Sequence, residues 1–582
     1  MVRRILSLFV FFLIFAAVGA DFPAGYSDWN FVGDFKIYHK AGLTLADAAA
    51  ASYDKPVRGL AAKTLPTLDP SQDFNVLFGY AEPVARRTAI AVNRINVKQD
   101  GRIQIGVGAD WHIVLFVDGK KVFDTIELGG NGSAPAKKNN HAVDVALTKG
   151  IHTVSFWLSS GATTWSVASG KIPYTKVIYP VPALKYGPYI TDVHPDGAVI
   201  SFATTHAAPV GIEVSCNGKK IDHFWSHTGY QIDPRKKLHR IAVDGLKENT
   251  KYSYRIVYLE RPDNNLKYMS GAYDFSTSSA SFKPFKMFVT GDLQFVKDVQ
   301  LKILDAYVDT DHMKSSELFV SLGDTAGAYN DFESSIFGVS LKAVLERSGH
   351  ARKLLLVRGN HEFRGKESCL FTEHFAMRNG FCYGLYVYND VAFLILDIGN
   401  GAKVSRAFTR HFTAYDMPEL LLREQRKVIA RAVKSPEFLK AKYRVVLSHG
   451  AVFGADGSVE KYTRRIIDGI VDKNMIHLWL SGHIHRYRRT VPGKQGFYGF
   501  SPSVNPADKD FTDGKYPFVT MIIDGPGIAK PHSGHTIEFQ NDAIKCTSFF
   551  EDGKPFDYFE IDRSGKVRKE SAGKELKFFD FK

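Results

Sequence analysis

The chain has 582 residues, 45% of them hydrophobic and 23% charged, with a formal net charge of +14. That is too long for a single core, so several domains are expected, and a charged fraction of this size argues against wholesale disorder. The basic balance favours anionic partners such as phosphate esters, nucleic acid, anionic lipid or acidic glycans, or serves solubility alone.

The first residues, MVRRILSLFVFFLIFAAVGADF, set Arg3 and Arg4 before an apolar run from Ile5 to Val18. Val18 and Ala20 are small enough for a signal peptidase, and the run is short for a membrane span. Residues 1–20 are therefore expected to be a secretory signal cleaved after Ala20. No later stretch is long and apolar enough to cross a bilayer, which predicts a soluble mature chain, secreted or periplasmic. The cysteines are Cys216, Cys369, Cys382 and Cys546, without CxxC spacing, which argues against a zinc–thiolate site. Cys369 and Cys382 either pair outside the cytoplasm or remain buried thiols.

Residues 21–182 read as an all-β sandwich. The runs TAIAVNRINV, GRIQIGVGADWHIVLFVDGKKV and AVDVALTKGIHTVSFWLSSG are β-type and separated by turns, and Asp118-Gly119 signals a hairpin. The stretch GADWHIVLFVDGKKVFD resembles the sugar-associated jelly-roll modules appended to secreted enzymes. That resemblance makes Trp111 and His112 candidates for glycan contact, with packing inside the sandwich as the competing role. Residues 183–279 form a second β module with period-2 alternation. Its GL-x-x-NT-x-Y-x-Y-R pattern at residues 245–255 resembles a fibronectin type III domain, and also the domain that precedes the catalytic domain in purple acid phosphatases. STSSASFKP, at 276–284, reads as a linker.

From Phe285 the pattern changes. Short apolar runs each end in a polar cluster: FKMFVTGDLQ, LFVSLGDTAG, KLLLVRGNHE, VAFLILDIGNG, YRVVLSHG and IHLWLSGHIH. Helical spacing lies between some of them, as in PELLLREQRKVIARAVKS at 418–435. Strands alternating with helices predict an α/β domain with a partly parallel sheet, whose ligands gather beyond the carboxyl ends of the strands. The clusters supply two carboxylates (Asp292, Asp324), three imidazoles (His449, His483, His485) and two amide oxygens (Gln294, Asn360). This mixture suits divalent Mn, Fe, Zn or Mg. Seven donors exceed what one transition metal takes, and match two ions about 3.5–4 Å apart sharing a bridging carboxylate.

In order and spacing, GD-x-Q, GDTAG, GNHE, LSHG and GHIH resemble the calcineurin-like metallophosphoesterase superfamily over residues 284–528. The resemblance implies a multidomain chain: N-terminal all-β sandwich modules followed by a four-layer α/β/β/α metallophosphoesterase domain. It also implies roles. Asp292, Gln294, Asp324 and His485 would hold one divalent ion, and Asp324, Asn360, His449 and His483 the other (Mn, Fe or Zn). His361 would be catalytic rather than a ligand, donating to the phosphate or protonating the leaving oxygen. Arg364 and Arg486 would contact phosphate, with solvent-facing arginines as the alternative.

Two positions depart from the family pattern. Gln294 stands where most members have histidine, so the first ion should be held less tightly. Purple acid phosphatases have a tyrosine three residues after the bridging aspartate, where this chain has Gly327. Tyr329 is out of register, which argues against an iron–tyrosinate centre. The sequence thus predicts an exported dinuclear phosphoesterase of the acid phosphatase type, in which a metal-bound hydroxide attacks phosphomonoesters. Phosphodiesterase or nucleotide pyrophosphatase activity is the alternative, and a glycan-binding surface protein with a degenerate domain is another. The expected partner is a phosphorylated small molecule or macromolecule, with no specific nucleic-acid binding. Residues 529–582 read as a β extension completing the domain, without chemistry of their own.

Overall fold

The computed structural model describes residues 26–580 except 83, 127–134, 162–163, 173–180, 260–265, 295–296, 401–416, 453–457, 495, 501–515 and 526–531. The expected signal at 1–20 lies outside the described residues. Two compact units are present: residues 1–178 with 261–265, and residues 179–260 with 266–582.

In the first unit, among the described residues, six strands form one sheet, ordered Lys63–Leu65, Trp29–His39, Thr88–Val97, Gly150–Ser159, His112–Val117 and Lys120–Asp124. Four strands form another: Leu68–Asp73, Ser166–Lys171, Gly101–Ala109 and His141–Leu147. Alternate residues of both sheets, including Phe35, Ile37, Ala91, Ile105, Val107 and Val143, meet in one buried cluster, as a sandwich requires. The Asp118-Gly119 hairpin forms as expected. Both residues have positive φ, 47° and 75°, and Val117 pairs with Lys120. Trp111 is 43% exposed at the preceding turn and meets the His112 ring edge-on, with centroids 5.2 Å apart.

In the second unit, among the described residues, ten strands form one sheet and eight another. The ten-stranded sheet runs Leu238–Val243, Gly197–Thr204, Leu184–His194, Lys353–Leu356, Leu318–Ser321, Phe285–Thr290, Ser533–Phe539, Ala543–Phe550, Pro555–Asp562 and Val567–Ala572. The eight-stranded sheet runs Gly384–Tyr388, Val391–Leu396, Tyr443–Ser448, Leu478–Ser481, Val519–Ile522, Arg488–Thr490, Gly496–Gly499 and Lys577–Asp580. The central strands of each sheet are parallel.

Side-chain alternation explains why these strands read as unbroken apolar runs. Met287, Val289, Leu355, Val357, Val445 and Leu447 face a core between the two sheets. Their neighbours Phe288, Leu354 and Leu356 face a second core with Tyr307, Phe332, Ile336 and Leu345 of the helical segments Lys297–Asp309, Glu333–Ser340 and Lys342–Arg347. On the far side, Leu394, Val446 and Trp479 pack on the helices Pro418–Ala432 and Ser458–Ile467. The layers are α/β/β/α, and strands covered on both faces need apolar side chains on both.

The 183–279 module is joined to this frame by backbone. Leu184–His194 pairs in parallel with Lys353–Leu356, Ile190 opposite Lys353 and Thr191 opposite Leu354, so the module supplies three strands of the ten-stranded sheet. Among the described residues, five of its remaining strands, between Val210 and Ser276, form a separate sheet over the same core, and His227–Thr228 pairs with Gln231–Ile232 in a two-stranded ribbon. The Tyr252 hydroxyl accepts the Lys247 N–H at 2.8 Å, closing the turn the sequence pattern marks.

This pairing generates a prediction. A chain beginning at residue 182 retains the Leu184–His194 strand, and one beginning at residue 207 loses it together with Gly197–Thr204. The first is expected to melt in one cooperative transition and the second to aggregate or lose near-UV circular dichroism, because its sheet edge and core face are opened. Equal melting curves would show that the joint is dispensable.

Candidate metal centre

The polar clusters lie beyond the carboxyl ends of the central strands, and the two sheets contribute different atoms. The ten-stranded sheet brings carboxylates and an amide: Asp292 after Phe285–Thr290, Asp324 after Leu318–Ser321, Asn360 after Lys353–Leu356. The eight-stranded sheet brings imidazoles: His449 after Tyr443–Ser448, and His483 and His485 after Leu478–Ser481. Asp292, Asp324, His483 and His485 have φ of 52°, 51°, 77° and 52°. Left-handed backbone at four non-glycine residues is strain, and it persists only where the surroundings over-determine it.

Two groups of donor atoms result, Asp324 with His449 and His483, and Asp292 with Asp324 and His485. Within each group the atoms lie within 4.8 Å of one another. His449 Nε2 is 3.2 Å from Asp324 Oδ2, 3.1 Å from Asn360 Oδ1 and 3.2 Å from His483 Nδ1, and Asn360 Oδ1 is 3.1 Å from His483 Nδ1. His485 Nε2 lies 3.4 Å from Asp292 Oδ1 and accepts from the Gln294 amide at 2.9 Å. Gln294 Nε2 also reaches Asp324 Oδ2 at 3.3 Å, while its Oε1 is buried with no hydrogen-bond partner. All seven residues named from the sequence are therefore brought together, with Asp324 common to both groups.

The donor set fits divalent cations. Carboxylates and imidazoles converge, Gln294 leaves an amide oxygen unsatisfied, and the tautomer of His449 is fixed for ligation. Its Nδ1 donates to the Leu322 carbonyl at 2.8 Å, which turns Nε2 toward Asp324 and Asn360.

Charge balance says the same. Burial opposes ionisation of Asp324, but the neighbouring His449 and His361 outweigh it and hold the carboxyl well below its usual range. Burial likewise opposes a charge on His449, yet the Asp324 carboxylate, then Asp292, push its pKa up to about 10. A proton on His449 thus does the work a cation would do.

His361 stands beside these atoms rather than among them. Its N–H donates to Asp324 Oδ1 at 2.8 Å, and its Nδ1 donates to the Gly327 carbonyl at 2.8 Å. Its Nε2 is 3.6 Å from Asp324 Oδ2 and accepts from Arg364 Nη1 at 2.7 Å. Arg364 is thus placed against His361. Arg486 is exposed, directly after His485.

The sequence reading left out Glu362. This carboxylate is fully buried and accepts the backbone N–H groups of Asp324 (2.9 Å), Thr325 (2.8 Å) and Gly359 (2.9 Å), and the Tyr329 hydroxyl at 2.7 Å. It ties the Asp324 turn to the Asn360 turn, and Gly359 is pressed so close that a Cβ there would fall 2.4 Å from Asp324 Oδ1. The fourth letter of GNHE was the available signal. Tyr329 is fully buried and its hydroxyl is committed to Glu362, so it does not complete the shell.

Residues 285–487 match the family model for calcineurin-like phosphoesterases. The chain carries a calcineurin-like phosphoesterase domain. It is accordingly a hydrolase of phosphate esters. No curated protein matches the chain in sequence. Among solved structures it is similar to PhoD, at 12% identity over 68% of this chain and 94% of that one, TM-score 0.43. It is likewise similar to the purple acid phosphatase PPD1 from yellow lupin (Lupinus luteus) seeds, at 12% identity over 82% and 94%, TM-score 0.43. A dimetal phosphatase from Danio rerio is similar at 14% identity over 48% and 100%, TM-score 0.32. The phosphoesterase domain thus rests on the matched segment and on the donor atoms above.

All four cysteines are free thiols. Cys369 is exposed, while Cys382 is buried, which pushes its pKa up to about 12.

Two predictions follow from this geometry. Glu362→Ala leaves three buried backbone N–H groups without an acceptor, at about 1–3 kcal/mol each. It is expected to lower the melting temperature and the bound metal together, and a variant that retains both would remove Glu362 from this role. The second concerns pH. Because the His449 pKa is raised, its proton is held from the ordinary imidazole value up to about 10. A cation entering at Nε2 must displace it, so metal affinity should rise with pH across that window. Calorimetric Mn²⁺ titration in buffers of differing ionisation heat should detect the released proton, whereas pH-independent affinity would show His449 is not a ligand.

Proposed function

We propose that the chain is an exported phosphoesterase using two divalent cations to hydrolyse phosphomonoesters. The observation that carries the two-cation reading is Asp324, whose carboxylate belongs to both donor groups. Asp292, Gln294, Asp324 and His485 would hold one cation, and Asp324, Asn360, His449 and His483 the other. Bound there, divalent ions supply positive charge for phosphoryl oxygens and make a water acidic. With Gly327 in the purple acid phosphatase tyrosine position, and Tyr329 spent on Glu362, the residues favour divalent Mn, Fe or Zn over an iron–tyrosinate pair.

The remaining chemistry belongs to the chain. His361 is held by its backbone on Asp324 and by Nδ1 on Gly327, so the ring cannot turn away. Its free variable is the proton on Nε2, which the leaving oxygen takes as the ester bond to phosphorus breaks. Burial and Arg364 lower the His361 pKa, while Asp324 raises it in part. The protonated form is therefore present at acidic pH and is lost as pH rises through a value below the ordinary imidazole one. Proton supply falls with pH while metal affinity rises, which gives a bell-shaped profile. Arg364 Nη1, 2.7 Å from His361 Nε2 when that nitrogen is unprotonated, is proposed to move to a phosphoryl oxygen when Nε2 carries its proton, and Arg486 is the second cation proposed for phosphate.

Preference for monoesters is supported by the resemblance of residues 183–279 to the module preceding purple acid phosphatase domains, and export by the leader-like residues 1–20. Exposed Trp111 supports a glycan contact in the first unit.

Purified protein loaded with Mn²⁺ should be assayed on mono-, di- and pyrophosphate esters, with His361→Ala beside the parent. Monoesters should be preferred, and the variant should keep its metal while kcat falls by roughly 10²–10⁴, less for substrates with acidic leaving groups. Preferred diester or pyrophosphate cleavage would make the protein a phosphodiesterase or nucleotide pyrophosphatase. Metal lost in step with rate would make His361 a ligand or structural residue.

A further inference from the structure

The metal donors come from two different sheets, so the centre is correct only if the sheets hold one register against each other. Apolar packing between sheets is non-directional and leaves sliding cheap. A directional link is therefore needed, and one is present near the His483–His485 turn. Arg489, on Arg488–Thr490 of the eight-stranded sheet, is fully buried. Its Nε and Nη2 donate across the core to Asp557 Oδ2 (2.7 Å) and Oδ1 (3.2 Å), on Pro555–Asp562 of the ten-stranded sheet. Its Nη1 donates to Glu570 Oε2 at 3.1 Å. Tyr487, two residues after His485, donates its hydroxyl to the same Asp557 Oδ2 at 2.5 Å.

A buried fork pair of this kind gives little net stability but fixes geometry, because each carboxylate oxygen accepts a donor from a set direction. The link continues toward the centre. The Tyr487 ring stacks on His535 of the ten-stranded sheet, centroids 5.7 Å apart and planes at 11°. His535 bonds Ser548 and Ser533, both at 2.9 Å, and the Ser533 hydroxyl donates to Asp524. Asp524 precedes Gly525, where a Cβ would lie 2.2 Å from the Asp292 carbonyl and 2.3 Å from its Cβ. One buried polar chain thus runs from Arg489 to the backbone against Asp292, and passes Tyr487 just after His485. Asp292 and His485 belong to the same donor group.

We propose that Tyr487, Arg489 and Asp557 are positioning residues that set the two sheets in register at the metal centre, acting chiefly on the cation held by Asp292 and His485. The proposal rests on the two-cation reading and assigns a task to the C-terminal strands, which bring no ligand of their own.

The test is Mn²⁺ titration of the full chain by calorimetry, with metal content and melting temperature measured in parallel. The step belonging to Asp292 and His485 is identified as the one that Gln294→Ala weakens. Tyr487→Phe keeps the ring, its stacking and the Arg489–Asp557 pair, so it should fold. It is expected to weaken that step about 10-fold, within the range for residues that orient ligands, and to leave the other step within about twofold. Asp557→Asn, which strands Arg489, should weaken the same step and lower the melting temperature. The double variant Arg489→Met with Asp557→Leu removes both charges and should recover melting temperature but not Mn²⁺ affinity. Affinity recovered along with stability would reduce the cluster to a structural one and overturn the proposal. So would two Mn²⁺ steps unchanged in Tyr487→Phe. A parent chain that takes up fewer than two Mn²⁺ would fail at the earlier point, the two-cation reading, and bring this inference down with it.

Discussion

A carboxylate with almost no solvent exposure, Asp324, sits where two sheets meet, and the rest of the second unit is arranged around the cost of putting it there. An isolated buried carboxylate is expensive enough that it would ordinarily take up a proton. Here the reverse holds, because His449 and His361 face it and keep it ionised. The nearer of the two, His449, comes from the opposite sheet and approaches to 3.2 Å. Whatever holds the sheets together therefore also holds the charge balance, and whatever cation replaces the His449 proton inherits a ready counter-charge.

That constraint accounts for the local backbone. Parallel strands end pointing the same way, so their next residues share one edge, but shared placement does not aim side chains inward. Left-handed turns at Asp292, Asp324, His483 and His485 do the aiming, at a steric cost. Glu362 offsets part of that cost by collecting three backbone N–H groups from the Asp324 and Gly359 turns. A substitution there would move two donors at once.

The legibility of the sequence follows the same logic. Donor residues were readable because each closes an apolar run, and a run of β-forming residues ending in Gly-Asp or Gly-Asn-His is a local signal. The Asp118-Gly119 hairpin was readable from its dipeptide between two apolar runs, whereas the layer order came only with the family resemblance. Long-range facts were not. Nothing near Leu184 indicates that its strand pairs with Lys353–Leu356, some 160 positions away, so a module expected behind a linker proves continuous with the catalytic sheet. No sequence signal singles out Arg489, and Asp557 falls in the terminal extension read as without chemistry. A buried ion pair is invisible until both partners are placed, because either residue alone is most often solvated.

The C-terminal strands bring these threads together. Ser533–Phe539 pairs antiparallel with Phe285–Thr290, the strand that delivers Asp292, and extends the sheet where a bare edge would otherwise stand. Pro555–Asp562 then places Asp557 under the turn that carries His485. The last strand, Lys577–Asp580, pairs with Gly496–Gly499 in the other sheet, so the chain's final residues span both halves of the sandwich. A segment that contributes to both sheets can transmit a constraint that neither half can impose alone. A centre whose carboxylates and imidazoles arrive from opposite sheets needs that constraint more than it needs another ligand.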